Sequence, residues 1–267
     1  MFVTIITDCR DDNARTRQET RYAHLFPSMH MSFIGASSDI EAAGNLMDVL
    51  DSADDSPGII AVNCAPRQGQ AKKWKNGSPF GYVWFQNKLI VGTIDGLSFG
   101  FLKRFSLIDH LCVTEITTAL PAGGYTAEQV KAAANTQFRS LNYLPRLAKI
   151  VWEKHEVPSE KMPVSEIPDM PSAVWWIDSF GNVKTTLTSQ DVNFVPQTKK
   201  RVEFTNGTHL LLPCVERLAD VPDNEPALII GSSGFQSHRF VELVVQGVDA
   251  NAAGRFNIHK GDFIQIH

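Results

Sequence analysis

The sequence lacks the features that announce the commoner chemistries. Its four cysteines, Cys9, Cys64, Cys112 and Cys214, are scattered through 267 residues without a Cys-x-x-Cys pair. That spacing argues against a zinc knuckle and a disulfide framework, and it suggests the cytoplasm. The eight histidines form no His-Glu-x-x-His or other ligand pair, so no metal or other cofactor is expected. No apolar run approaches the roughly 18 residues of a membrane helix, and the first residues carry no basic region of a signal peptide. A formal net charge of −4 gives no basic footprint for nucleic acid. The densest cationic runs, Lys72-Lys73-Trp74-Lys75 and Lys199-Lys200-Arg201, are short and read as solvated loops. Neither a membrane nor a nucleic acid is therefore an expected partner.

What is present is the pattern of a globular α/β protein with a second, all-β part. Up to residue 156, strand patterns at 3–7, 31–34, 58–63, 81–85, 88–92 and 111–115 alternate with helix patterns. Helices are predicted over 39–52, opened by a Ser38-Asp39 cap, and over 126–136, where Thr126 and Gln129 form a capping box. A third is predicted over 141–155, with Leu144, Leu147, Ala148 and Val151 on one face. This is the signature of a Rossmann-like α/β domain around a mostly parallel sheet. Residues 157–171 hold Pro158, Pro163, Pro168 and Pro171 among acids and serines and read as a linker. From 172 to 267 the helical period vanishes. Short strands near 173–177, 183–187, 201–204, 209–212, 227–230, 240–245 and 262–266 predict a small β-barrel or sandwich.

The most informative stretch is Val174-Trp175-Trp176-Ile177-Asp178-Ser179-Phe180-Gly181-Asn182. An apolar strand runs into an acid, an aromatic ring, a glycine and an amide. Such a turn can hold a zwitterion, the acid taking an ammonium and the amide a carboxylate, with Phe180 free to stack. It can equally be an ordinary hairpin in which Asp178 and Asn182 bond their own turn. Asp8 closes the first strand, where ligands of open α/β sheets collect. Its carboxylate suits a vicinal diol, or else a helix cap or a partner for Arg10 or Arg15.

Together with Gly231-Ser232-Ser233-Gly234, Gly247 and Lys260-Gly261-Asp262, these segments resemble the S-adenosylmethionine (SAM) hydroxide adenosyltransferases and adenosyl halide synthases. Ile6-Thr7-Asp8 is similar to the family's I-T-D, and Ile177 to Asn182 to its I-D-x-F-G-N. The resemblance implies a homotrimer binding an adenosyl ligand, with each site between the N-terminal domain of one subunit and the C-terminal domain of its neighbour. It implies Asp8 on the ribose diol, and Asp178, Asn182 and Ser232 or Ser233 on the methionine-like end. Phe180 would flank the adenine and the Gly247 backbone would meet its edge. The implied reaction is substitution at ribose C5′ with a neutral thioether leaving, which needs no general acid.

The resemblance breaks at the nucleophile. Where hydroxide-transferring members carry an acid in V-D-P-G-V-G, this chain has Asn63, and Phe138 stands where they carry a histidine. Their arginine has no clear equivalent, since only Gln70 and Lys72 fall near it. Arg139 and Ser140 lie near where a halide would be held, yet the insert from Gln68 to Pro79 is shorter than a halogenase loop. The walls at Gly35-Ala36-Ser37-Ser38-Asp39-Ile40 and Thr93-Ile94-Asp95-Gly96-Leu97-Ser98 are rebuilt too. Three readings stand: an adenosyl-acting enzyme with an altered nucleophile, a non-catalytic adenosyl-binding protein, and a scaffold.

Overall fold

The structure is a computed structural model, and it describes residues 1–64, 78–247 and 250–267. Gln70, Lys72 and residues 68–77 of the insert lie outside the described residues. The chain divides into two compact units, Met1–Asp169 and Met170–His267.

The first unit is built on a seven-stranded mixed sheet. Strands β1 (Phe2–Thr7), β2 (His30–Gly35), β3 (Gly58–Asn63) and β5 (Lys88–Thr93) run parallel, in the spatial order β2-β1-β3-β5. Strands β4 (Phe80–Phe85), β6 (His110–Thr114) and β7 (Ser159–Pro163) extend it in antiparallel pairs. The expected α/β class holds, with a parallel half and an antiparallel half. Every residue of β3 and β5 is buried, as continuous apolar runs inside a covered sheet should be.

Helix α1 (Asp12–Leu25) escapes prediction because it is polar almost all round. It buries only Ala14, Gln18 and Tyr22, spaced by four residues, and Asp11 caps its start by accepting from the Ala14 N–H at 3.0 Å. Helix α2 (Asp39–Ser52) has the expected Ser38 cap, and α5 (Ala127–Ala134) has the Thr126–Gln129 capping box. Short helices α3 (Gly100–Arg104) and α4 (Ile116–Ala122) add no sequence signal of their own. The third expected helix is divided at Tyr143 into α6 (Arg139–Asn142) and α7 (Leu144–Trp152). Leu144, Leu147, Ala148 and Val151 of α7 pack on Val3, Ile5, Ile59, Ala61, Leu89 and Val91 of the sheet.

The stretch expected as a linker contains β7, whose backbone pairs with β6 from His110↔Pro163 to Thr114↔Ser159. Its side chains are mostly exposed, so it carries no alternating apolar pattern, and its terminal proline is tolerated at a sheet edge. Beyond it Ile167 is buried, and its carbonyl accepts from Lys103 Nζ at 2.6 Å.

The second unit holds two antiparallel sheets. One is ordered β12-β13-β9-β8, from Pro226–Phe235, His238–Val245, Val183–Thr188 and Val174–Ile177. The other is β11-β10-β14, from His209–Pro213, Lys199–Phe204 and Ile264–Ile266. Val174, Val183, Leu243, Val202, Leu212 and Ile264 from both sheets share one core. The expected β-domain is thus present, with one addition, the short helix α8 (Ala252–Phe256) capped by Asn251.

Gly92 in β5 shows how tightly the parallel half is packed. A Cβ there would lie 2.2 Å from the Val62 carbonyl oxygen and 2.9 Å from the Phe99 ring. Backbone cannot yield as a flexible side chain does. Gly92→Ala is expected to lower stability by about 1–3 kcal/mol, read as a fall in urea midpoint at unchanged slope.

Candidate functional site

In the first unit, the strand order puts β2 and β3 on opposite sides of β1, so the connection reverses direction at the β1/β3 gap. Such a gap opens a crevice at the carboxyl ends of the strands. Asp8 stands at this gap, its N–H donating to the Asn63 carbonyl at 3.1 Å. Asp8 Oδ1 accepts from Cys9 Sγ at 3.6 Å.

The register Thr7↔Asn63 puts these two side chains on one face. Asn63 is only 8% exposed, and its Nδ2 donates to Thr7 Oγ1 at 3.3 Å. Thr93 follows the last paired residues of β3 and β5, Val62 and Gly92, and extends the same row. Its buried Oγ1 has no hydrogen-bond partner among the described residues. Three uncharged donors and acceptors therefore line the end of an apolar core. Sequence reading singled out Asn63 and passed over the two threonines, which only the register brings beside it.

Further along the edge, Tyr143 Oη and Thr114 Oγ1 lie 2.7 Å apart, and the Arg139 guanidinium sits over the Phe80 ring at 5.5 Å. Burial lowers the Arg139 pKa, and the nearby Glu115 carboxylate partly offsets this. The Arg17 guanidinium of α1 stacks on the Phe138 ring at 5.2 Å. The rebuilt segment after β2 starts α2: Ser37 N–H and hydroxyl both donate to buried Glu41, and Asp39 accepts from the Leu97 N–H at 2.9 Å.

In the second unit, the Asp178 turn is self-bonded. Asp178 Oδ1 accepts from the N–H groups of Phe180 and Asn182 at 2.9 and 3.0 Å, and Oδ2 accepts from Asn182 Nδ2 at 3.0 Å. Asp178 and Asn182 are thus partners of each other. A carboxylate has about four acceptor positions, so three bonds do not exhaust it. Gly181 takes φ +80°, and a Cβ on it would fall 2.2 Å from Asn251 Oδ1. The turn is pinned there, with the Ala253 N–H donating to the Gly181 carbonyl at 3.0 Å. Phe180 is left 74% exposed at the tip, positioned for stacking.

Ser232 and Ser233 sit in the irregular stretch of β12 between Ile230 and Gly234, and they part ways. Ser232 is exposed, and its carbonyl accepts from Arg239 Nη1 at 2.8 Å. Ser233 is buried and accepts from Lys184 Nζ at 2.5 Å. Lys184 also pairs with Glu242 at 3.7 Å, their side chains 15% and 6% exposed. The strand pairing Trp176↔Lys184 and Glu242↔Lys184 makes this one row across the sheet. Gly231 makes room for it, because a Cβ would lie 1.9 Å from Glu242 Oε1. Next in the row, Lys260 Nζ lies over the Trp176 ring at 4.7 Å. Sequence reading missed the pair; a lysine inside a strand otherwise full of threonine and valine is the signal available. Gly247 is exposed with φ +130°, beside Asn224.

Against known proteins, residues 172–265 match the family model described as the SAM hydroxide adenosyltransferase C-terminal domain. Nearly the whole C-terminal unit is thus similar to this domain. That match spans the Asp178 turn, both serines and the Lys184–Glu242 pair, and it supports a SAM-related function at the level of the family. Among the solved structures that resemble the chain, two cover its whole length. An uncharacterized conserved protein from Thermotoga maritima gives a TM-score of 0.72 at 14% identity, with 100% of both chains covered. A conserved hypothetical protein from Thermus thermophilus gives 0.59 at 17% identity, with 100% of this chain and 99% of that one covered. At these identities the likeness is one of fold. No curated protein matches the chain. No helix among the described residues is long and apolar enough to cross a membrane.

Removing one member of a buried charge pair takes away part of what offsets the other's desolvation. Lys184→Met is expected to cost about 3–5 kcal/mol in chemical denaturation, and adding Glu242→Leu should recover much of that loss.

Proposed function

We propose that this protein binds SAM or a related 5′-substituted adenosine and does not catalyse ordinary SAM hydrolysis. The observation that carries the reading is the pairing of a family-matched C-terminal unit, Asp178 turn included, with an uncharged Thr7–Asn63–Thr93 row at the sheet edge. On the ligand side, Asp8 holds the ribose diol, and Asp178, Asn182 and the Ser232–Ser233 stretch hold the methionine-like end. Phe180 flanks the adenine and the Gly247 backbone meets its edge. The protein assembles as a homotrimer, and neither a metal nor a second cofactor takes part.

The chemistry follows from what the edge residues can do. Departure of a thioether from a sulfonium needs no proton, so a substitution at C5′ depends on positioning and on stripping water from the nucleophile. Making water a nucleophile needs a base. Asn63 cannot take a proton at neutral pH, and neither can a threonine hydroxyl or the Phe138 ring. Any turnover therefore uses a nucleophile that arrives without a proton to lose. Otherwise the protein is a binder that has kept the adenosyl contacts.

Two measurements test this. Calorimetry with SAM should show binding that Asp178→Ala weakens by roughly 10- to 150-fold, the equivalent of losing about 1.5–3 kcal/mol in a charged hydrogen bond. Equal affinities would place the ligand elsewhere. Incubation with SAM, followed by separation of nucleosides, should give little or no adenosine, since loss of a general base removes about 10²–10⁴ in rate. Rapid release of adenosine, abolished in Asn63→Ala, would overturn the hydrolytic half of the proposal. Light scattering should give three times the 29.6 kDa chain mass.

A further inference from the structure

A second polar site lies on the outer side of α1, in the first unit. Arg17, Arg21 and His24 occupy one face of that helix, at intervals of four and three residues, with the hydroxyls of Thr16 and Thr20 beside them. Asn142 of α6 faces them across a groove of about 650 Å³. Arg146, one turn further along α7, closes the group by donating from Nη1 to the Asn142 carbonyl.

The charges in this groove are uncompensated. Among the described residues no carboxylate lies within ion-pair distance of Arg17, Arg21 or Arg146. Glu19 of α1 is engaged with Arg15 at 3.1 Å, and Glu153, just past the end of α7, with Lys149 at 2.8 Å. Two of the guanidinium groups are instead held by aromatic rings, Arg17 over Phe138 at 5.2 Å and Arg146 over Tyr125 at 5.5 Å. Stacking fixes the plane of a guanidinium and leaves its edge N–H groups for another acceptor. Arg146 is half-buried, and its pKa is lowered first by desolvation and then by the positive charge of Arg21. Like charges are thus gathered with aromatic rings and no carboxylate from the described residues beside them, on a protein whose net charge is −4.

We propose that this groove binds a phosphate-bearing small molecule. Planar guanidinium forks bond phosphate oxygens in pairs, and the two that line the groove, with two hydroxyls, an amide and the nearby charge of Arg146, suit a dianion better than a single carboxylate. The volume leaves room for an organic portion beyond the phosphate. The site is independent of the adenosyl reading, because none of its residues belongs to the contacts assigned there. It also gives Phe138 a task, that of presenting the Arg17 fork.

The test is calorimetric titration of the 267-residue protein with inorganic pyrophosphate over a series of sodium chloride concentrations, with citrate in parallel at the same ionic strength. Pyrophosphate should bind at one site per chain, weaken as sodium chloride is raised, and lose at least 10-fold in affinity in Arg17→Gln/Arg21→Gln. The single change Arg21→Gln, which leaves the Phe138 stack intact, should lose several-fold, and Lys199→Gln/Lys200→Gln in the other unit should change nothing. Absence of pyrophosphate binding, or equal affinity in the arginine variants, would refute the site. Citrate binding as tightly as pyrophosphate would refute the assignment to phosphate.

Discussion

The parallel pairing of β1 with β3 is the constraint on which the N-terminal site depends. Once Phe2 pairs with Gly58, the pleat fixes every later partner, and Thr7 must end opposite Asn63. A slip of one residue would turn Asn63 to the other face and put Val62 at the edge beside Thr7. The chain leaves β1 for α1 and β2 on one side and returns as β3 on the other. That reversal opens the crevice at which Asp8 stands. The apolar residues of β3 and β5 hold the register, since all of them are buried and none can be exposed without loss.

The C-terminal unit relies on the same logic with charge in place of apolar area. Lys184 and Glu242 face each other across β9 and β13, with Ser233 completing the set. Burying such a pair costs desolvation that its attraction only partly offsets, so it contributes more to fixing one alignment than to stability. Gly231 and Gly181 are the points where the backbone must come close, to Glu242 and Asn251 respectively. Between them the Asp178 turn projects Phe180 into solvent while its own acid and amide lock each other.

Asn63 and Phe138 are both integrated into the fold. Asn63 bonds Thr7, and Phe138 carries the Arg17 guanidinium. The segment after β2 supplies a helix cap and a carboxylate that receives two bonds from Ser37.

By itself the sequence determined whatever depends on neighbours along the chain. Apolar runs marked the strands of both units, because a buried strand needs no more than a continuous or alternating pattern. Ser38 and Thr126 marked helix starts, because a cap bonds N–H groups only three residues away. The acid, glycine and amide of the Asp178 turn were legible for the same reason, their bonds closing within five residues. Tertiary structure decided the rest. The polar helix α1 is held by three inward residues and a sheet to receive them, and β7 by backbone pairing that no side chain announces. Lys184 and Glu242 lie 58 positions apart, and Thr7 and Asn63 lie 56 apart, so their meeting is a property of strand order. Hydrogen bonds and charges act over a few ångströms, and only the folded chain sets which distant residues come that close.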